Sequence, residues 1–285
     1  MPEPSVLVFG ATGSLGRHVV AELTARGTVP EAITAVGRNE SRLAELAAAG
    51  FTAVALDLAD STGVAEQVSK HSQIVLISGS DPDRLAQHLN VVEAASNADV
   101  GHVYYTSGVR ADDARFEINA DHAATEDALI ASGVSYTILR NTWYIENYVQ
   151  ALAGPRFTGV LAAAVGDAVV AAASRKDLAE ALAVVVTTEG HDNATYSLSG
   201  DTDFSYADIA AAMAVVLERD VTYRPVTADE LRAALTGTGM DDELAGFLVG
   251  LDETVAAGTY ARVGDDLGRL LGRPTTGLVE GLQEP

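Results

Sequence analysis

The chain has 285 residues, 18 basic against 40 acidic for a net charge of −22, and no cysteine. That balance argues against general nucleic-acid binding, which needs a basic face to release counterions, and against anionic membranes. Lack of cysteine excludes disulfides, thiol catalysis and Cys-based metal sites. With 48% hydrophobic residues the composition is that of a well-buried globular chain, and the acidic residues read as the solvation of an Ala-rich surface.

Apolar runs alternate with helical patterns from the outset. SVLVFG, from Ser5, is a continuous β run of the kind buried on both faces of a parallel sheet. No basic leader or apolar targeting segment precedes it, which predicts no signal peptide and a cytoplasmic protein. Leu15, Val19, Val20 and Leu23 then share one helical face, closed by Gly27. AITAVG is a second strand. RLAELAAAG is a helix, with Asn39 or Ser41 as its N-cap and Gly50 beyond its end. FTAVALD is a third strand, residues 60–71 a short helix, and IVLIS a fourth strand. In DRLAQHLNVVEAAS the residues Leu85, Leu89 and Val92 are expected to form the buried stripe. HVYYTS is strand five, residues 119–132 a helix, and VSYTILR strand six.

Six strands alternating with helices predict an α/β, doubly wound parallel sheet, because parallel neighbours need crossover helices. The rhythm loosens after Arg140. The expected division is therefore 1–140 as a dinucleotide-binding domain and 141–285 as mainly a smaller substrate-binding lobe, with room for elements that return to the main sheet. No apolar run reaches the roughly 18–20 residues of a membrane span.

GATGSLG places Gly10, Gly13 and Gly16 between the first strand and the first helix. Gly10 suits a tight turn, Gly13 close backbone approach to a pyrophosphate, and Gly16 close packing of the helix on the sheet. Sites that hold the ribose 2′-hydroxyl of NAD place an acid about 20 residues further on. Here the segment reads AVGRN, with Gly37 in the acid's place and Arg38 beside it. A guanidinium suits a 2′-phosphate, so NADP(H) is expected over NAD(H). Glu40 close by weighs against this. Asp57 could accept from an adenine amino group or serve a turn. His18, His71, His88, His102 and His191 are scattered without a ligand spacing, so no metal is expected.

GATGSLG, GRN, YYTSGVRAD, DHAATEDAL, SGVSYTILRNTWYIENY, ASRKDLAEA and LGRPTTGL occur in an order and spacing that resembles the NmrA-like branch of the atypical short-chain dehydrogenase/reductases, nearest to its bacterial NADPH:quinone oxidoreductases. The resemblance runs from residue 5 to about 278. It implies a Rossmann domain with a small C-terminal lobe, NADPH as hydride donor without flavin, and a small quinone-like substrate. It carries Gly10, Thr12, Gly13, Ser14, Leu15 and Gly16 to the phosphate loop, Arg38 to the 2′-phosphate, and Ser78 and Gly79 to the ribose. Ser107 matches the position of the catalytic Ser in typical short-chain dehydrogenases. Where those enzymes carry Tyr and Lys, this chain has Ile118 and His122. A His at that point is shared with the quinone reductases, and is also compatible with the branch's non-catalytic regulators.

A quinone accepts hydride readily, so positioning and modest hydrogen-bond or acid help could suffice. His122, Ser107 and Tyr144 are the candidate catalytic residues, with His122 able to bond a ribose hydroxyl or to donate a proton. Asn141, Trp143 and Tyr144, after strand six, are the candidate substrate contacts, with Trp143 a ring-stacking wall or a packing anchor. Three readings stay open: a quinone-type reductase, an NADP(H)-sensing regulator, and a reductase of a specialised metabolite such as a polyketide enone. The oligomeric state, a homodimer included, is open as well.

Overall fold

The computed structural model describes residues 5–98, 100–113 and 119–283. In chain order the first elements are β1 (Val6–Phe9), α1 (Gly16–Ala25), β2 (Ile33–Gly37), α2 (Glu40–Ala48), β3 (Thr52–Ala55), α3 (Ser61–Val68), β4 (Gln73–Ile77), α4 (Arg84–Asn97), β5 (His102–Gly108), α5 (Ala120–Ala131) and β6 (Tyr136–Asn141). There follow α6 (Asn147–Ala151), α7 (Ala153–Thr158), β7 (Val160–Ala163), β8 (Val169–Val170), α8 (Arg175–Thr187) and β9 (Ala194–Leu198). The chain ends through β10 (Phe204–Ser205), α9 (Tyr206–Leu217), β11 (Thr222–Pro225), α10 (Ala228–Gly237), α11 (Asp242–Ala256), α12 (Asp266–Leu271) and α13 (Leu278–Gln283).

Local chemistry sets several of these boundaries. Asn39 caps α2, its side chain accepting from the Arg42 amide at 3.0 Å, and Asp60 caps α3 in the same way from Gly63. Gly27 and Gly50 end their segments at φ values of 99° and 95°.

Two compact units share the chain. The first comprises residues up to Asn141 together with Arg175–Ser197, the second Thr142–Ser174 and everything from Leu198 onward. α8 and most of β9, from beyond Arg140, lie with the first unit. Its sheet has seven strands in the order β3-β2-β1-β4-β5-β6-β9, one more than the alternation predicts. β1 pairs in parallel with β2 on one side and β4 on the other. The connection direction thus reverses between β1 and β4, the point at which open α/β sheets bind ligands at their C-terminal strand ends. β9 enters from YSLSG and lies along β6, its flanking Asn193 amide donating to the Tyr136 carbonyl at 2.7 Å.

Leu7, Phe9, Ile74, Leu76, Val103 and Tyr105 point to the layer that carries α3, α4 and α5, and form one core with Val64, Val91, Ala95 and Leu129. In α4 the buried residues are Gln87, His88, Val91, Val92, Ala94 and Ala95, whereas Leu89 is exposed and Leu85 only half-buried. Val92 is buried as expected, while Leu85 and Leu89 give way to His88, whose ring meets Thr125 and Tyr105.

The second unit holds two small sheets, β7 parallel to β11 and β8 antiparallel to β10. Tyr148 and Tyr206 meet edge to face within it, and the Asp252 carboxylate accepts the Ala164 amide at 2.7 Å.

Candidate active site

The loop after β1 is built by steric exclusion. Gly10 has φ 80°, and a Cβ on it would stand 3.1 Å from the Ile77 Cβ at the end of β4. A Cβ on Gly16 would overlap the Gly10 carbonyl and the Ala11 Cα, so the first turn of α1 lies directly on the loop. Gly13 closes the turn by donating to the Gly10 carbonyl at 2.9 Å. This is a tight backbone turn at a helix N-terminus, of the kind whose amides suit a pyrophosphate.

Gly37 packs on Thr12, and any Cβ there would run into the Thr12 side chain. That contact explains why no acid occupies the end of β2. Arg38, 60% exposed, pairs with Asp81 at 2.9 Å and lies 3.8 Å from Asp57. Asp57 in turn accepts the Ala59 amide at 2.9 Å, so it serves the turn after β3. Arg42 was not singled out from sequence, yet its guanidinium donates to the Thr12 carbonyl. Arg42, in the first turn of α2, thus reaches back to the loop, while Arg38 lies just before the Asn39 cap. Ser78 is tied to β5 through its amide, which donates to Thr106 Oγ1 at 2.9 Å, and Gly79 beyond it leaves open space.

At the C-terminal ends of β5 and β6 the candidates meet partners that the sequence did not announce. Ser107 donates its hydroxyl to Glu126 Oε1 at 2.5 Å. Glu126, 4% exposed, also receives the Arg140 guanidinium in a two-pronged pair at 3.0 and 2.6 Å. Arg140 reaches Asp112 at 2.8 Å as well. Burial alone would lower the Arg140 pKa, but its bonds to Glu126 and Asp112 raise it above the ordinary arginine value. Ser107 has its proton committed to the carboxylate, so its oxygen offers lone pairs rather than a donor.

His122 Nδ1 lies 2.8 Å from the Tyr105 hydroxyl. Burial, with Arg84 and His88 nearby, pushes its pKa down to about 3, and burial pushes His88 to about 4. Both rings are therefore neutral near pH 7, and His122 is a hydrogen-bonding group rather than a proton donor titrating at neutrality. Ile118, the other position of the missing Tyr–Lys pair, lies outside the described residues. Asn141 closes β6 opposite Gly108, 6% exposed, and its Oδ1 has no partner among the described residues.

The other two candidates belong to the second unit. Trp143 packs on Tyr260 with ring centroids 5.0 Å apart, and its indole Nε1 is buried with no hydrogen-bond partner among the described residues. Tyr144 bridges to Ala173 through its backbone. Two clefts open at the opposite, N-terminal ends of the strands around Gln73. The His102 and His191 rings at one of them are taken up by Thr137 and Tyr196.

A family described as NAD(P)H-binding matches residues 10–189, which span the phosphate loop, β5, α5 and α8. The chain belongs to this NAD(P)H-binding family. Within it the NmrA-like likeness holds over nearly the whole length. Quinone oxidoreductase 2 of Escherichia coli is 35% identical over 96% of both chains. The crystal structure of the E. coli NADPH-dependent quinone oxidoreductase with NADPH covers 97% of this chain and 98% of its own, at a TM-score of 0.90 and 35% identity. The Citrobacter sp. triphenylmethane reductase with NADP(H) covers 98% of this chain and 99% of its own, at a TM-score of 0.90 and 30% identity. The chain is accordingly an NAD(P)H-dependent oxidoreductase. Among the described residues no helix is long and apolar enough to cross a membrane.

Proposed function

We propose that this chain is an NADPH-dependent reductase that passes hydride to quinones or similarly electron-poor carbonyl compounds. The observation that carries the reading is the state of α5. It carries a neutral imidazole, His122, and a carboxylate, Glu126, that takes up the proton of the Ser107 hydroxyl on β5, a pairing suited to holding a cofactor and orienting an acceptor. A ketone needs a proton delivered to a developing alkoxide. A quinone gains aromaticity on reduction, so an oriented hydrogen-bond donor suffices. The similar proteins named for reducing a quinone and a triphenylmethane support this choice of a conjugated acceptor.

Bound at the loop, NADPH supplies the hydride. The backbone of Gly10, Thr12, Gly13, Ser14, Leu15 and Gly16 cradles the pyrophosphate, and Arg38, assisted by Arg42, holds the 2′-phosphate and favours NADPH over NADH. Ser107, anchored by Glu126, accepts a hydrogen bond from a cofactor hydroxyl or amide, and Ser78 and Gly79 border the ribose. His122 donates a hydrogen bond at the C-terminal end of β5. Asn141 offers an unpartnered amide oxygen at the neighbouring strand end, and Trp143 and Tyr144 are candidate contacts of the acceptor ring.

Oxidation of NADPH followed at 340 nm against a panel of soluble quinones, with NADH alongside and no flavin added, tests the reading. Turnover faster with NADPH supports it. No turnover by correctly folded protein overturns it.

A further inference from the structure

The hydrogen bonds behind His122 favour one order of protons. Thr125 gives its hydroxyl proton to the Asp121 carbonyl at 2.7 Å, so its oxygen can only accept. His88 Nδ1 lies 3.1 Å from that oxygen and must therefore carry a proton. A protonated His88 Nδ1 cannot receive the Tyr105 hydroxyl proton, although the two atoms are 3.4 Å apart. Tyr105 also meets the Thr125 oxygen, which already receives the His88 proton, so the His122 Nδ1 nitrogen at 2.8 Å is its nearest open acceptor. The Tyr105 proton goes there, which puts the His122 ring proton on Nε2. Reversing the order would move the His88 proton to its Nε2, a buried atom with no partner among the described residues, and leave a donor orphaned.

The free edge of His122 faces the strand ends. A Cβ on Gly108, the last residue of β5, would stand 3.3 Å from His122 Cδ2, the atom bonded to Nε2. Gly108 leaves room for that edge. We propose that Thr125, His88 and Tyr105 are positioning residues that fix His122 as its Nε2–H tautomer, a hydrogen-bond donor at the C-terminal end of β5.

Among the described residues the surrounding charges are paired with one another. Arg84 of α4 bonds Asp121 of α5 at 2.7 Å, and Glu126 is engaged by Ser107 and Arg140. The burial that keeps both imidazoles neutral therefore acts without a charge aimed at His122 alone, and the proton order is left to the hydrogen bonds. The kinetic consequence rests on the reductase reading above, but the tautomer does not.

Long-range ¹H–¹⁵N correlation spectra of the full-length ¹⁵N-histidine-labelled protein at pH 7 read the tautomer directly. His122→Gln assigns the His122 signals. The wild type is expected to show a single Nε2–H pattern for His122. Thr125→Val removes the acceptor of the His88 proton and should shift His122 toward Nδ1–H, whereas Thr125→Ser restores the wild-type pattern. Tyr105→Phe should give a tautomer mixture and raise the His122 titration midpoint by about one pH unit, the scale of one lost hydrogen bond. A wild-type His122 that is charged or Nδ1-protonated at pH 7 overturns the proposal, as does a Thr125→Val spectrum identical to wild type. None of these readouts requires turnover, so failure of the quinone assay leaves them interpretable.

Discussion

Arg38 offers the sharpest test of cofactor choice, because the structure shows what it must give up. Its guanidinium rests on Asp81 at 2.9 Å, with Asp57 at 3.8 Å, and is largely solvent-exposed. An exposed pair of this kind is worth about 0.2–1 kcal/mol. A charge-assisted, paired hydrogen bond to a 2′-phosphate is worth about 1.5–3 kcal/mol. The exchange therefore nets about 1–2 kcal/mol, and Arg38→Ala should weaken NADPH by roughly 5- to 30-fold. NADH, which lacks the phosphate, should change less than about twofold. Asp81→Asn releases Arg38 in advance and should tighten NADPH by about 2- to 5-fold, by removing the competing pair. Dissociation constants from calorimetry at one fixed ionic strength, for both cofactors and all three proteins, make the comparison, and the NADPH effects should shrink at high salt. Equal losses for NADH and NADPH in Arg38→Ala refute the assignment. An Asp81→Asn protein that binds NADPH more weakly than wild type refutes the competition.

Glu126→Gln leaves the half-buried Arg140 with Asp112 as its remaining carboxylate and should cost about 1–3 kcal/mol, seen in chemical denaturation; a loss below about 0.5 kcal/mol contradicts the role of the pair. Gly16→Ala must displace the Gly10 carbonyl and should abolish measurable cofactor binding, so retained affinity would show that α1 can shift away from the loop. Trp143→Ala should raise the quinone KM and leave the NADPH dissociation constant unchanged, and unaltered kinetics would reduce Trp143 to a packing role against Tyr260. His88 and His122 are neutral in the fold, with pKa values near 4 and 3, but ionise near 6.5 when unfolded. The unfolded chain then binds more protons as pH falls below 6.5, so stability drops on acidification, by about 2–3 kcal/mol for the pair between pH 7 and 5.5. Urea unfolding of His122→Gln should show an acid-dependent loss smaller by about 1 kcal/mol, and an equal loss would mean His122 is not held neutral.

The parts legible in the chain were those written in short range. The phosphate loop, the Asn39 cap and six of the strands follow from residues within a dozen positions of one another. YSLSG reads as a β run, but its place beside β6 does not follow, because a strand's neighbour is not encoded in its own pattern, and β9 meets β6 only after an excursion through the second unit. The face of α4 was misjudged for a related reason. His88 reads as a surface residue until Thr125 and Tyr105, each from another element, are placed around it. Glu126 was invisible for the same cause, since a buried acid is betrayed only by its partners, Ser107 on β5 and Arg140 on β6. Arg42 was hidden likewise, since its partner is the Thr12 carbonyl, 30 positions away.

The missing Tyr–Lys pair acquires a physical meaning from how α5 lies. A helix that links two parallel strands runs back along the first of them. The pairings between β5 and α5 therefore cross: Tyr105, lower on the strand, reaches His122 near the start of the helix, and Glu126, further along the helix, reaches Ser107 near the strand end. Both reaching residues are long, and both turn a group at the strand ends into something fixed. Glu126 makes Ser107 an acceptor, and Tyr105 makes His122 a donor. A Tyr–Lys pair supplies a proton to an alkoxide, and nothing described at the ends of β5 and β6 is poised to do so near pH 7. What these strand ends present is orientation, the one contribution that an acceptor gaining aromaticity on reduction still requires.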